Sequence, residues 1–239
     1  MRLHRFYIAV SIGAKTEISI SSADLVHQIR RVFRLETGDS VILFDGSGFD
    51  FTCRIKDIVK EDVSFTISSL AKSHYIPDRE VTLCMALVKK DTFEWIVQKA
   101  TELGVTKIIP VIADRSEKKN LNEERLKKIV TEASEQSGRG NVPTIHPIID
   151  LKECSEWCSK KEIPSVAFHI EGEILNESAR WHLAEKSQLE IFIGPEGGWS
   201  PDEIEMFHKN KIPIYSLGKQ VLRAETAVVS ALSLTLLGK

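Results

Sequence analysis

The sequence predicts an α/β protein in two parts, a small β-barrel over residues 1–71 and a larger parallel-sheet α/β domain over residues 72–239. Two observations carry this. Before residue 72 short apolar stretches alternate with tight turns, the period of strands. After it, apolar strands alternate with amphipathic helical stretches, the pattern of a largely parallel sheet with helices on both faces. The boundary falls in Ala71–Arg79, which contains Pro77 and has no clear period.

In the first part, Phe49, Phe51, Cys53 and Ile55 fall on one face of a strand over 49–58, and Val63, Phe65 and Ile67 on one face of a second over 62–70. Phe44–Gly48 supplies the turn before them. One helix interrupts the strands: Ser21-Ser22-Ala23-Asp24 offers its N-cap and first-turn acid, and Leu25, Ile29 and Val32 form its apolar stripe. In the second part, strands are expected at Val81–Val88, Val105–Ala113, Ser165–Ile170, Leu189–Ile193 and Ile212–Leu217. Helices are expected at Asp91–Leu103, closed by Gly104, at Asn122–Arg139, and at Glu225–Leu237. Asp91 is read as a helix cap.

A chain of 239 residues with 42% hydrophobic and 28% charged side chains is long enough to bury a core without staples. Its net charge of −2 gives no global basic field, so any nucleic-acid surface must come from local clusters of Lys and Arg, and composition alone leaves a metabolic enzyme open. Of four cysteines only Cys154 and Cys158 are close, with no second Cys or His pair following, so idle thiols and no metal site are expected. No apolar run reaches the ~20 residues that span a bilayer, and the start lacks an apolar signal region. The expected setting is the cytoplasm, with no membrane partner.

Two strand ends carry unusual sequence. Ile191–Ile193 runs into Gly194-Pro195-Glu196-Gly197-Gly198-Trp199, after which Ser200, Pro201 and Glu203 have the spacing of an N-cap, N1 proline and capping box. Such a glycine loop lets backbone approach a ligand closely. It matches neither the phosphate loop nor the dinucleotide fingerprint, which leaves ligands held by backbone groups without a long phosphate tail; S-adenosyl-L-methionine is one. Trp199 is the aromatic expected near such a ligand, while Trp95, Trp157 and Trp181 are read as core or interface. The second end is Leu217-Gly218-Lys219-Gln220-Val221-Leu222-Arg223-Ala224-Glu225-Thr226-Ala227. Arg223 stands at a helix N-terminus, where a cation is disfavoured, so either function or an ion pair with a carboxylate such as Glu225 keeps it there.

These two segments resemble the SPOUT methyltransferases, and the whole chain resembles the bacterial 16S ribosomal RNA uridine N3-methyltransferase family. The likeness includes Arg5-Phe6-Tyr7, His27–Arg34, Lys99–Val105, Arg115-Ser116 and Glu132–Arg139; Phe33 stands where that family usually has Leu. The resemblance implies an N-terminal PUA-like RNA-binding barrel, a C-terminal trefoil-knotted SPOUT domain, a homodimer, and 16S rRNA of the small ribosomal subunit as substrate. It implies that Gly194, Pro195, Glu196, Gly197, Gly198, Leu217, Gly218, Leu222, Thr226 and Ala227 hold the cofactor.

His27, Arg31 and Arg34 fall on one helical face, flanked by Arg30, and with Arg5 make an expected phosphate-contact patch. Lys89, Arg115 and Arg139 are further candidates for RNA contact, the last two for a cleft or dimer seam. Uracil N3 carries a proton at neutral pH, so a base is needed, and Glu196 and Glu225 are the candidates. Arg223, always charged, is expected to stabilise negative charge on the uracil oxygens.

Overall fold

The computed structural model describes residues 3–117 and 120–237. The chain divides into two compact units, residues 1–76 with 134–142, and residues 77–133 with 143–239.

In the first unit β1 (Arg5–Tyr7), β2 (Glu17–Ser21), α1 (Ala23–His27), β3 (Ser40–Phe44), β4 (Phe49–Val59) and β5 (Asp62–Lys72) follow in order. The strands form one curled sheet in the order β1-β3-β4-β5-β2, antiparallel except for β1 beside β3. Phe51, Cys53, Ile55, Val63 and Phe65 point into its core as their alternation requires. Phe49, the first residue of β4, is exposed instead.

α1 starts on Ser22, whose hydroxyl accepts from the Leu25 N–H. It then widens into a π-helical turn, Gln28–Val32, with Phe33 N–H bonding Gln28 O at 2.9 Å. This corrects the expected stripe. Leu25 and Ile29 are buried, but the wider turn rotates Val32 out to 57% exposure and brings Phe33 onto the core in its place, edge-on to Phe6. Arg34 lies beyond the helix in the left-handed region, φ 54°.

The second unit contains β6 (Glu80–Ala86), α2 (Lys90–Leu103), β7 (Lys107–Ile112), most of α3 (Glu123–Ser137), β8 (Thr144–Ile145), β9 (Ile149–Asp150), α4 (Leu151–Lys160), β10 (Ser165–Ile174), α5 (Glu177–Ala184), β11 (Gln188–Ile193), α6 (Pro201–Lys209), β12 (Ile214–Ser216) and α7 (Ala224–Leu232). Its sheet runs β12-β10-β11-β6-β7-β8, with β9 also on β7, and every pair is parallel. Gly104 closes α2 in the left-handed conformation, φ 112°. Asp91 is not its cap: Lys89 occupies that position without a side-chain bond, and Asp91 sits in the first turn. The closing helix is shorter than expected, since α7 gives way to a π-helical turn at Ser233–Leu237. All four cysteines are buried and free, and no group of His, Cys, Asp or Glu among the described residues has metal-binding geometry.

Candidate functional site

Because the sheet is parallel, β12, β10 and β11 end at one edge, and they are neighbours there. In open α/β sheets this edge is where ligands bind. The chain after each strand contributes to a cavity of about 440 Å³: Phe168–Glu171 after the paired part of β10, Gly194–Trp199 after β11, and Ser216, Leu217 and Gln220–Leu222 after β12, with Ala224 and Ala227 of α7.

The β11 loop is tightly held. Gly198 N–H donates to Pro195 O at 2.9 Å and Gly198 has φ +68°, a conformation side chains disfavour. A Cβ on Gly194 would lie 3.2 Å from the Trp199 ring, and one on Gly197 would lie 3.3 Å from the Arg115 side chain. The glycines thus serve packing on one side and keep backbone bare on the other. The capping box of α6 forms as its spacing predicts: Ser200 Oγ accepts from Glu203 N–H, and Glu203 Oε2 accepts from Ser200 N–H at 2.7 Å. Glu203 Oε1 also accepts from Asp114 N–H at 2.8 Å, which ties the loop after β11 to the chain after β7.

Trp199 is 1% exposed; its Nε1 donates to Phe168 O at 3.0 Å and its ring meets Phe207 edge-on. It is the floor of the cavity, held in the core. After β12, Ser216 Oγ donates to Gly218 O at 2.7 Å, fixing the turn into the second loop.

Eight of the ten residues expected around the cofactor line this cavity: Gly194, Pro195, Glu196, Gly197, Gly198, Leu217, Leu222 and Ala227. Gly218 and Thr226 do not, and neither do Arg223 and Glu225. Arg223 caps α7 in extended conformation, exposed, with no ion pair to Glu225 among the described residues. The segment His169–Glu171, inside β10, was not anticipated as part of the site; its signal in the sequence is its place at the end of the expected strand Ser165–Ile170.

The basic residues separate. Arg30, Arg31 and Arg34 line a second cavity, also about 440 Å³, in the first unit, and exposed His27 is not part of it. The π turn and the left-handed Arg34 break the single helical face expected for His27, Arg31 and Arg34. Arg5 is corrected: it is buried, paired bidentately with Asp50, donates to Arg139 O at 2.9 Å and lies over the Phe44 ring. Arg139 is corrected as well. It is fully buried, and burial pulls its guanidinium down to about 10, which leaves it charged at neutral pH. Neither offers its charge to solvent. Arg115 lines the first cavity and donates to Gly197 O at 2.7 Å, so it braces the glycine loop. Lys89 is exposed at the start of α2, outside the cavity lining. Trp95 and Trp181 are exposed at 42% and 44%, so they are not core, whereas Trp157 packs on the core beneath Lys161.

A family model described as an RNA methyltransferase domain matches residues 76–236, and one described as an RNA methyltransferase PUA domain matches residues 23–68. The chain belongs to the RNA methyltransferase family. A protein of Rickettsia conorii named ribosomal RNA small subunit methyltransferase E is 35% identical to this methyltransferase, over 98% of this chain and 95% of its own. Among solved structures, ribosomal RNA small subunit methyltransferase E from Neisseria gonorrhoeae, bound to S-adenosyl methionine, superposes with a TM-score of 0.85 at 27% identity, covering 97% of this chain and 96% of that one. The methyltransferase Lpg2936 of Legionella pneumophila, in complex with the cofactor SAM, gives 0.88 at 26% identity, covering 100% and 98%. The fold expected from the resemblance, a PUA-like unit followed by a knotted SPOUT methyltransferase domain, holds for this family member.

Proposed function

We propose that this methyltransferase transfers a methyl group from S-adenosyl-L-methionine to N3 of a uridine in the 16S rRNA of the small ribosomal subunit, as a cytoplasmic homodimer. The observation that carries the reading is the cavity at the strand ends, set in a chain similar along its length to proteins named ribosomal RNA small subunit methyltransferase E.

The residues present suit the cofactor. The cavity volume falls in the ~300–1,000 Å³ range of small-molecule sites. Ile193, Leu217, Val221, Leu222 and Ala227 give it apolar walls for a flat purine, while Gly194, Gly197 and Gly198 bring backbone donors and acceptors close. When bound, the cofactor supplies a methyl group on a sulfonium whose departure leaves a neutral thioether. The protein's part is then positioning and proton transfer.

Of the two carboxylate candidates Glu196 is assigned the proton of uracil N3; support for this is that it lines the cavity and is exposed. Glu225 lies outside the lining. Arg223, exposed and without an ion-pair partner among the described residues, is assigned the charge that builds on the uracil oxygens. Arg30, Arg31 and Arg34 are assigned the RNA backbone, for which three guanidinium groups around one cavity are suited. Support for a dimer is the set of exposed apolar groups on the second unit, Ile174 at 58% and Trp181 at 44% among them. No helix among the described residues is long and apolar enough to cross a membrane.

The reading is tested by incubating the protein with labelled S-adenosylmethionine and small subunits from cells lacking the corresponding methylation. Label recovered in 16S rRNA supports it. Label absent from 16S rRNA of both assembled subunits and naked RNA contradicts it.

A further inference from the structure

β10 pairs with β12 through Phe168, breaks register, and resumes at Glu173 and Ile174. Gly172 permits the return: a Cβ there would lie 2.8 Å from the Tyr215 carbonyl carbon and 2.9 Å from Ile214 O. Bulges beside active sites re-aim side chains, and the bulged residues His169 and Glu171 both line the cavity. The His169 side chain is 12% exposed, and its ring would lie 3.2 Å from a Cβ on Gly198, so this glycine also makes room for the imidazole. Among the described residues the ring makes no hydrogen bond; the nearest carboxylate oxygen, on Glu171, is 3.9 Å from Nε2. An imidazole on the cavity wall that makes no hydrogen bond to protein is open to a ligand that enters.

Resting on the cofactor reading above, we propose that Glu171 and His169 hold the ribose hydroxyls of the adenosyl group. The other polar side chains of the lining are Glu196, to which the proton is assigned, Arg115, which braces the glycine loop, Ser216, whose hydroxyl donates to Gly218 O, and Gln220, an amide without a carboxylate's charge. A vicinal diol is the fragment of the cofactor that presents two neighbouring O–H donors. A carboxylate is an acceptor with two oxygens, and imidazole adds a second partner of either sense. An acidic side chain beyond a parallel strand is also how open α/β sheets hold a ribose.

The test is calorimetric binding of S-adenosylhomocysteine and its 2′-deoxy counterpart to the full-length protein, with no turnover required. Wild type is expected to bind the deoxy compound about 10- to 100-fold more weakly, the span of a hydrogen bond to a charged group. Glu171→Gln is expected to weaken the parent compound and to narrow that discrimination to a few-fold, and His169→Phe to do so in part. Glu171 is largely exposed, so its variant keeps the fold, which an unchanged melting temperature without ligand verifies. Undiminished discrimination in Glu171→Gln overturns the proposal while leaving the cofactor reading intact. Wild type that binds neither compound overturns the cofactor reading, and the proposal with it.

Discussion

Asp50 is what allows Arg5 to be buried. Its carboxylate takes the guanidinium bidentately and a hydroxyl donation from Ser73 at 2.6 Å. Asp50→Ala would leave a buried charge unpaired and is expected to destabilise the first unit by roughly 3–5 kcal/mol, read as a fall in urea midpoint. Glu190 makes the opposite kind of statement. It is 2% exposed, accepts from the Cys158 thiol, and also faces Cys154, Lys107 and Lys161; burial above all holds its carboxyl up at about 7. An acid raised in the folded state binds its proton more tightly there than in the unfolded chain. Its contribution to stability is therefore full below the ordinary carboxylate range and is lost as pH rises through about 7. Stability measured from pH 4.5 to 8 is expected to fall over this window, and Glu190→Gln to flatten the fall; a parallel slope in the variant would contradict the assignment. Nothing in the sequence marked either residue, because alternation identifies a buried strand position without saying which polar partner waits across the core.

At the scale of elements, the parts that local chemistry controls were legible. Ser200-Pro201-Asp202-Glu203 spelled a capping box, and it forms with both bonds in place. Ser200→Ala removes that cap and the bond to Asp114, so a loss of about 1–2 kcal/mol is expected in thermal unfolding. The glycine loop stood out because three glycines exceed what a strand-to-helix turn requires, and it lines the cavity at the strand ends. Elements shaped by tertiary packing were not. The π turn after α1 moved Val32 off its expected face and split His27 from the arginines, since hydropathy at helical spacing assumes a regular helix. The β10 bulge was hidden for the same reason: only the approach of Ile214 and Tyr215 explains why Gly172 is there. The double charge reversal Arg31→Glu with Arg34→Glu is expected to weaken RNA binding and lower its salt dependence, leaving cofactor binding unchanged. Equal loss of both would indicate misfolding in place of a lost contact.

At the scale of the whole molecule, strand–helix alternation was sufficient for the parallel sheet, and the ordering β12-β10-β11 then brings three loops to one edge. Periodicity carries no information about threading, so the knot rested on resemblance alone, as do the dimer and the chosen nucleotide. Near-neutral net charge was equally silent about RNA, because the arginines assigned to it in the proposal are gathered at one cavity of the first unit. The proposed methylation is on a single atom of a single base, which nucleoside mass spectrometry reads out. Small subunits lacking native methylation are treated with the protein and S-adenosylmethionine, and their 16S rRNA is digested. 3-Methyluridine is expected to appear with the wild-type protein and to be lost with Arg223→Ala. A 2′-O-methylated nucleoside, or another methylated base in its place, would contradict the proposal.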